Sequence, residues 1–238
     1  MAQPPQANEA FLREVDDELR RDQALTLWRR YGRLAIVGLV LALAALAGFL
    51  WWQQHRIDVA GQQGVELGKA LDELGTNNLK AAQPRLDALA REGNAGYAAL
   101  ARYTQADIAL QKNDLKGAAA KLAEVARDED APAAMRDLAL VRQTLAEYDS
   151  LRPQQVIDRL RRLVVKSGAF HGSAGEMTAI AHLRMGRRDL AGKLFGEIAR
   201  DETAPPSIRQ RVVQMAGVLG VDAVDQAQAP AGPETKAE

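Results

Sequence analysis

Residues 34–52 read LAIVGLVLALAALAGFLWW, a stretch without a charge, an amide or a hydroxyl. A helix rises 1.5 Å per residue, so these positions span roughly 28 Å, close to the ~30 Å hydrocarbon core of a bilayer. A long helix inside a soluble protein would keep a polar stripe for water, and none exists here. Trp28 and Tyr31 precede the stretch and Trp51 and Trp52 end it, where amphipathic rings favour the headgroup layer. It is expected to be a transmembrane helix, and the lipid bilayer is the first partner the sequence implies.

Orientation follows from the basic residues beside the span. Arg20, Arg21, Arg29, Arg30 and Arg33 lie before it, whereas only Arg56 and Lys69 follow closely. Positive flanks stay in the cytoplasm, so the N-terminus is expected there and the rest of the chain on the far side. A leader of 33 residues is long for a signal-peptide n-region, and no A-x-A site follows Trp52, which favours an uncleaved anchor. In a Gram-negative cell this makes a single-pass inner-membrane protein with a periplasmic C-terminal domain.

Composition narrows what that domain can be. Lys plus Arg equals Asp plus Glu at 31 each, so no global field recruits nucleic acid. Hydrophobic residues make up 47% but aromatics only 5%, and the alanine that fills the difference suits closely packed helices. There is no cysteine, which rules out disulfides, thiol catalysis and thiolate metal sites.

The expected organisation is a Pro- and Gln-rich mobile start (residues 1–10), a cytoplasmic amphipathic leader (1–33), the span (34–52), a helical-repeat domain (53–220) and a disordered tail (221–238). Phe11, Val15, Leu19, Leu25 and Trp28 give the leader helical spacing, and its six acids cancel its six arginines. Within the span, Ala35, Gly38, Ala42 and Ala45 put four small side chains on one face. Such a face lets a second membrane helix approach closely, and a homo-oligomer is one arrangement that would use it.

Beyond the span the chain repeats itself. LAEVARDEDAP at 122–132 and FGEIARDETAP at 195–205 agree at seven of eleven positions with an offset of 73. That offset is about twice a helix-turn-helix unit, so a hidden unit should lie between them. An anchor followed by apolar residues four and seven later finds Ala82/Leu86/Leu89, Ala118/Leu122/Val125, Val156/Leu160/Leu163 and Ala191/Phe195/Ile198. Turn chemistry precedes each anchor: Gly75 with Asn77 and Asn78, Asn113 with Asp114, Ser150 with Pro153, and Gly186. The fold class is all-α, an α-solenoid of about four stacked helical hairpins and a final helix from about Ser207 to Leu219, opened by Pro205 and Pro206.

Residues 70–205 resemble the tetratricopeptide pattern in degenerate form. Asp114 sits at the usual Gly-Asp turn and Ala118 at the small position where helices touch, while the usual Trp and Tyr positions are mostly lost. The leader FLREVDDELRRDQALTLWRRYG, the single span and the repeats together resemble the family of ancillary SecYEG translocon subunits. The resemblance implies a bitopic inner-membrane protein beside the SecYEG translocon, a partner of secreted polypeptides or periplasmic chaperones.

Other chemistry fails on spacing. GVELGKA (64–70) is one residue short of a phosphate loop and ends in Ala70 where a Ser or Thr would hold magnesium. HGSAG (171–175) is not a nucleophile elbow, and an inter-repeat loop is the expected explanation. His55, His171 and His182 have no partner at metal-binding spacing, and no cofactor motif is present. Asp128, Glu129, Asp130, Asp201 and Glu202 read as solvated repeat ends rather than an acid/base pair.

The expectation is a non-enzymatic adaptor, with an envelope or cell-division scaffold as the alternative. A solenoid of this kind offers the first helices of its hairpins to partners. Carrying the family's groove positions over, 15, 11 and 8 residues before each anchor, selects Tyr103, Asp107 and Leu110, then Val141, Leu145 and Tyr148, then Glu176, Ile180 and Leu183.

Overall fold

A computed structural model describes the backbone of residues 6–222 and the side chains of residues 29–222 other than Ala35. The expected disordered tail lies outside the described residues from 223 onward, as do the start at 1–5 and the side chains that carry the leader's amphipathic pattern. Among the described residues the protein is all-helical, with nine helices and no strand. They form two compact units, one ending at Gly61 and one beginning at Gln62.

The first unit is helical throughout its described length. α1 (Gln6–Gly75) begins inside the stretch expected to be mobile. No proline or glycine interrupts residues 6–31, so nothing stops the helix from extending to Gln6. Its segment from residue 29 is long and apolar enough to cross a membrane, and none of the apolar window is buried. At its end the rings of Phe49 and Trp52 lie 6.4 Å apart, Trp51 stacks on His55 at 5.8 Å, and the Arg56 guanidinium lies 4.9 Å from the Trp52 ring.

The second unit is the solenoid. Its first hairpin pairs residues 62–75 of α1 with α2 (Leu79–Glu92). The next three are α3 (Ala95–Gln111) with α4 (Leu115–Arg127), α5 (Ala133–Ala146) with α6 (Pro153–Leu160), and α7 (His171–Arg184) with α8 (Arg188–Ala199). α9 (Pro206–Val218) closes the row, within a residue of the expected bounds. Every anchor triplet is buried, so the inferred register holds in all four hairpins.

Three of the hairpin turns share one construction. Asn77, Asn113 and Gly186 adopt φ of 60°, 58° and 73°, the left-handed region open to Asn and Gly. Beside them the N–H groups of Asn78, Asp114 and Arg187 reach back to the carbonyls of Glu73, Ala109 and His182, which satisfies the ends of the first helices. Asn78 and Asp114 then cap the second helices by accepting from Ala81 N–H and Gly117 N–H.

The third hairpin departs from that plan. Its turn has no left-handed residue, and Pro153 starts the second helix instead, with Gln155 Oε1 accepting from Arg152 N–H at 3.0 Å. α6 is only 8 residues long and stops at Leu160, so Leu163, expected on the helix, lies in the turns that follow, still buried.

Two loop expectations are corrected. HGSAG is not a loop: it forms the first turns of α7, and His171, Gly172, Ala174 and Gly175 are buried there. Small side chains suit that place because α7 meets its neighbours closely, and a Cβ on Gly172 would come within 3.2 Å of Ala204 Cβ. Nor is the acidic repeat end uniformly solvated, since Asp201 is buried beside His171. The start of the tail is tied down too: Val221 packs on the α8–α9 core and Arg200 donates to the Asp222 carbonyl at 2.6 Å.

Candidate partner-binding surface

The first helices α3, α5, α7 and α9 follow one another along the solenoid, and side chains tie each to the next. Tyr103 on α3 is 7% exposed, and its hydroxyl donates to the Met135 carbonyl of α5 at 2.5 Å. Tyr148, just past α5, donates to the Met177 carbonyl of α7 at 3.1 Å. Burial pushes the Tyr103 hydroxyl up to about 12, against the pull of Arg142, and raises that of Tyr148, against Arg184. Both therefore stay protonated donors.

An arginine answers each tie from the later helix. Arg142 lies 5.5 Å from the Tyr103 ring and pairs with Asp107. Arg184 lies 5.5 Å from the Tyr148 ring. Arg211 on α9 donates two hydrogen bonds of 2.9 and 2.7 Å to the Glu176 carboxylate, which raise the arginine's own pKa. These arginines were not singled out from the sequence. The signal was there: Asp107 and Arg142, Tyr148 and Arg184, Glu176 and Arg211 are each about one repeat apart.

The nine groove positions therefore divide. Val141 is buried, and Leu110, Ile180 and Leu183 pack against the cores between hairpins. Tyr103, Tyr148, Asp107 and Glu176 are inter-helix ties. Leu145 is the apolar member left open, at 62% exposure, and Leu138 one heptad earlier and Leu100 on α3 are also exposed. Near Asp107 a cavity of about 310 Å³ opens, with Leu74, Leu79 and Ile108 as apolar lining and Thr104, Asp107 and Gln111 as polar lining. Its mixed walls can take an aliphatic side chain and one or two hydrogen-bonding groups.

On the span, Gly38 has nothing within 4 Å of where a Cβ would stand, and Ala42 and Ala45 are exposed; Ala35 is outside the described side chains. A buried carboxylate cluster lies elsewhere. Asp201 Oδ1 accepts from the Thr203 hydroxyl at 2.6 Å and Thr203 N–H at 2.9 Å, while Oδ2 meets His171 Nδ1 at 2.5 Å and Ser167 N–H at 3.2 Å. The Thr203 hydroxyl first, then His171 and the two backbone donors, hold this carboxyl far below the usual range despite its burial. Among the described residues no group of His, Asp and Glu is placed to hold a metal ion.

The sequence pattern of the tetratricopeptide repeat-like domain family matches residues 26–215, a stretch that takes in the apolar segment of α1 as well as the hairpins. No curated protein and no solved structure matches the chain. With its hairpins stacked and the family pattern matching residues 26–215, most of its length, this chain belongs to the tetratricopeptide repeat-like domain family.

Proposed function

We propose that the protein is a single-pass inner-membrane adaptor beside the Sec translocon, with its leader in the cytoplasm and its solenoid in the periplasm. The solenoid presents its first-helix face to secreted polypeptides or periplasmic chaperones, and the protein carries out no catalysis itself. The family supports a protein-interaction role, and the exposed apolar helix is compatible with a membrane anchor. The single observation that carries the reading furthest is the leader-span-repeat layout with the leader sequence FLREVDDELRRDQALTLWRRYG. The small face of Gly38, Ala42 and Ala45 is the proposed contact with a translocon helix, and Leu145 with the cavity near Asp107 is the proposed contact with a client.

In-cell photo-crosslinking tests both contacts. A photoreactive residue at Gly38 should trap a translocon subunit, and one at Leu145 should trap a secreted polypeptide or a chaperone. Capture from Gly38 of envelope-assembly or division proteins, with no translocon subunit, would replace the adaptor by a scaffold.

A further inference from the structure

Besides the α5–α6 turn, the solenoid's regular construction lapses at the 161–170 connection. The other second helices run 12 to 14 residues, but α6 has 8 and hands over to turns. This segment carries apolar weight of its own. Leu163 is buried, and Val164 and Phe170 pack with Val156, Leu160 and Met177 in the core between α6 and α7. Beyond Val164 its amides make no α-helical hydrogen bond. Its backbone bonds are short-range, Leu163 N–H and Val164 N–H to the Leu160 carbonyl and Gly168 N–H to the Val165 carbonyl, and Ser167 takes a φ of 61° that costs a non-glycine residue energy.

What ties the far end down is Asp201. Its Oδ2 receives Ser167 N–H from the segment and His171 Nδ1 from the first turn of α7, and its Oδ1 is fixed by Thr203 within the α8–α9 turn. One carboxylate thus ties the segment, the first turn of α7 and the α8–α9 turn to a single point. His171 and Asp201 side chains are 3% and 2% exposed, so water cannot substitute for either partner while the contact stands. The equivalent residue 73 positions earlier, Asp128, pairs with Arg102 at 3.0 Å and secures no such segment.

We propose that residues 161–170 are a releasable strap over the apolar core between α6 and α7, and that the His171–Asp201 contact is its latch. When the contact breaks and the Asp201 carboxylate turns away, Ser167 N–H loses its side-chain acceptor, and the strap lifts Leu163, Val164 and Phe170 away from Val156 and Leu160 while the hairpins on either side stay folded. The inference stands on this geometry and does not depend on what the first-helix face binds.

Hydrogen exchange on the full-length protein in nanodiscs tests it. In Asp201→Asn, amides of 163–172 should exchange roughly tenfold faster or more, with those of Leu115–Arg127 unchanged. His171→Asn keeps a side-chain N–H near the place of Nδ1 and should retain most of the protection, whereas His171→Leu should open the strap like Asp201→Asn. If Asp201→Asn does not fold, Thr203→Val removes one donor from the carboxylate and carries the same comparison at smaller amplitude. Exchange that is unchanged in 163–172, that rises equally in α4, or that is as fast in His171→Asn as in His171→Leu overturns the latch.

Discussion

Leu122–Pro132 and Phe195–Pro205 share seven of eleven residues, yet the two segments do different work. Each ends a second helix, packs its fourth-from-anchor residue fully into the core, and hands over to a helix behind a proline. In each, the aspartate also accepts from the N–H two residues on, Asp130 at 3.2 Å and Thr203 at 2.9 Å. They diverge in what else that aspartate meets. Asp128 faces Arg102 at an edge where both side chains keep contact with water, and Asp201 faces His171 in the interior. A local sequence can thus be copied while its electrostatic setting is decided by a residue 26 or 30 positions away.

The sharpest way to probe the pair is at the core position. Phe195 and Leu122 are both fully buried, so Phe195→Ala should cost about 4 kcal/mol and Leu122→Ala about 3, read by thermal or urea unfolding. Equal costs would mean that the α7–α9 core collapses around the larger void.

Next come the aspartates. Asp201→Asn leaves a buried pair broken and should cost about 3 kcal/mol, while Asp128→Asn should cost about 1 kcal/mol because water reaches its site. If the two costs match, burial is not what separates the segments.

The small positions give the third contrast. Where α4 has Ala119 and Ala123, α8 has Gly192 and Gly196, and a Cβ on Gly192 would come within 2.9 Å of Val221 Cγ2. Gly192→Ala should therefore destabilise by about 1 kcal/mol by displacing Val221, even though alanine favours helix. Gly217→Ala, which meets nothing within 4 Å, should stabilise by about 0.5 kcal/mol.

The last contrast is in acid. The Asp201 carboxyl is held lower in the folded protein than in the unfolded chain, so its contribution is complete above about pH 4 and is lost as pH falls toward the folded value. Asp201→Asn should flatten that acid limb of the stability curve, and an unchanged limb would locate the acid sensitivity elsewhere.

How far the sequence could be read depended on whether the signal was local. The triplets from Ala82 to Ile198 repeat an apolar spacing that only a buried helix face explains, and the hairpin turns announce themselves through Asn77, Asn113 and Gly186. His171 carried no such signal. Beside Gly172 and Ser173 it resembled a loop, because glycine and serine usually mark one, and nothing nearby showed that the small residues were there for close packing. Tyr103 read as groove surface for a related reason: its hydroxyl partner is a backbone carbonyl on another helix, which no side-chain pattern records.

By itself the sequence determined the apolar helix, the all-α class, the four hairpins and their register, since each follows from hydrophobic period, charge and turn residues within a few positions of one another. Tertiary structure alone decided which first-helix residues are ties and which stay open, where α6 gives way to the 161–170 segment, and that Asp201 is an interior charge rather than a loop acid. Those outcomes depend on contacts between residues about 30 positions apart or more, and a side chain's burial and partners exist only once the hairpins have stacked.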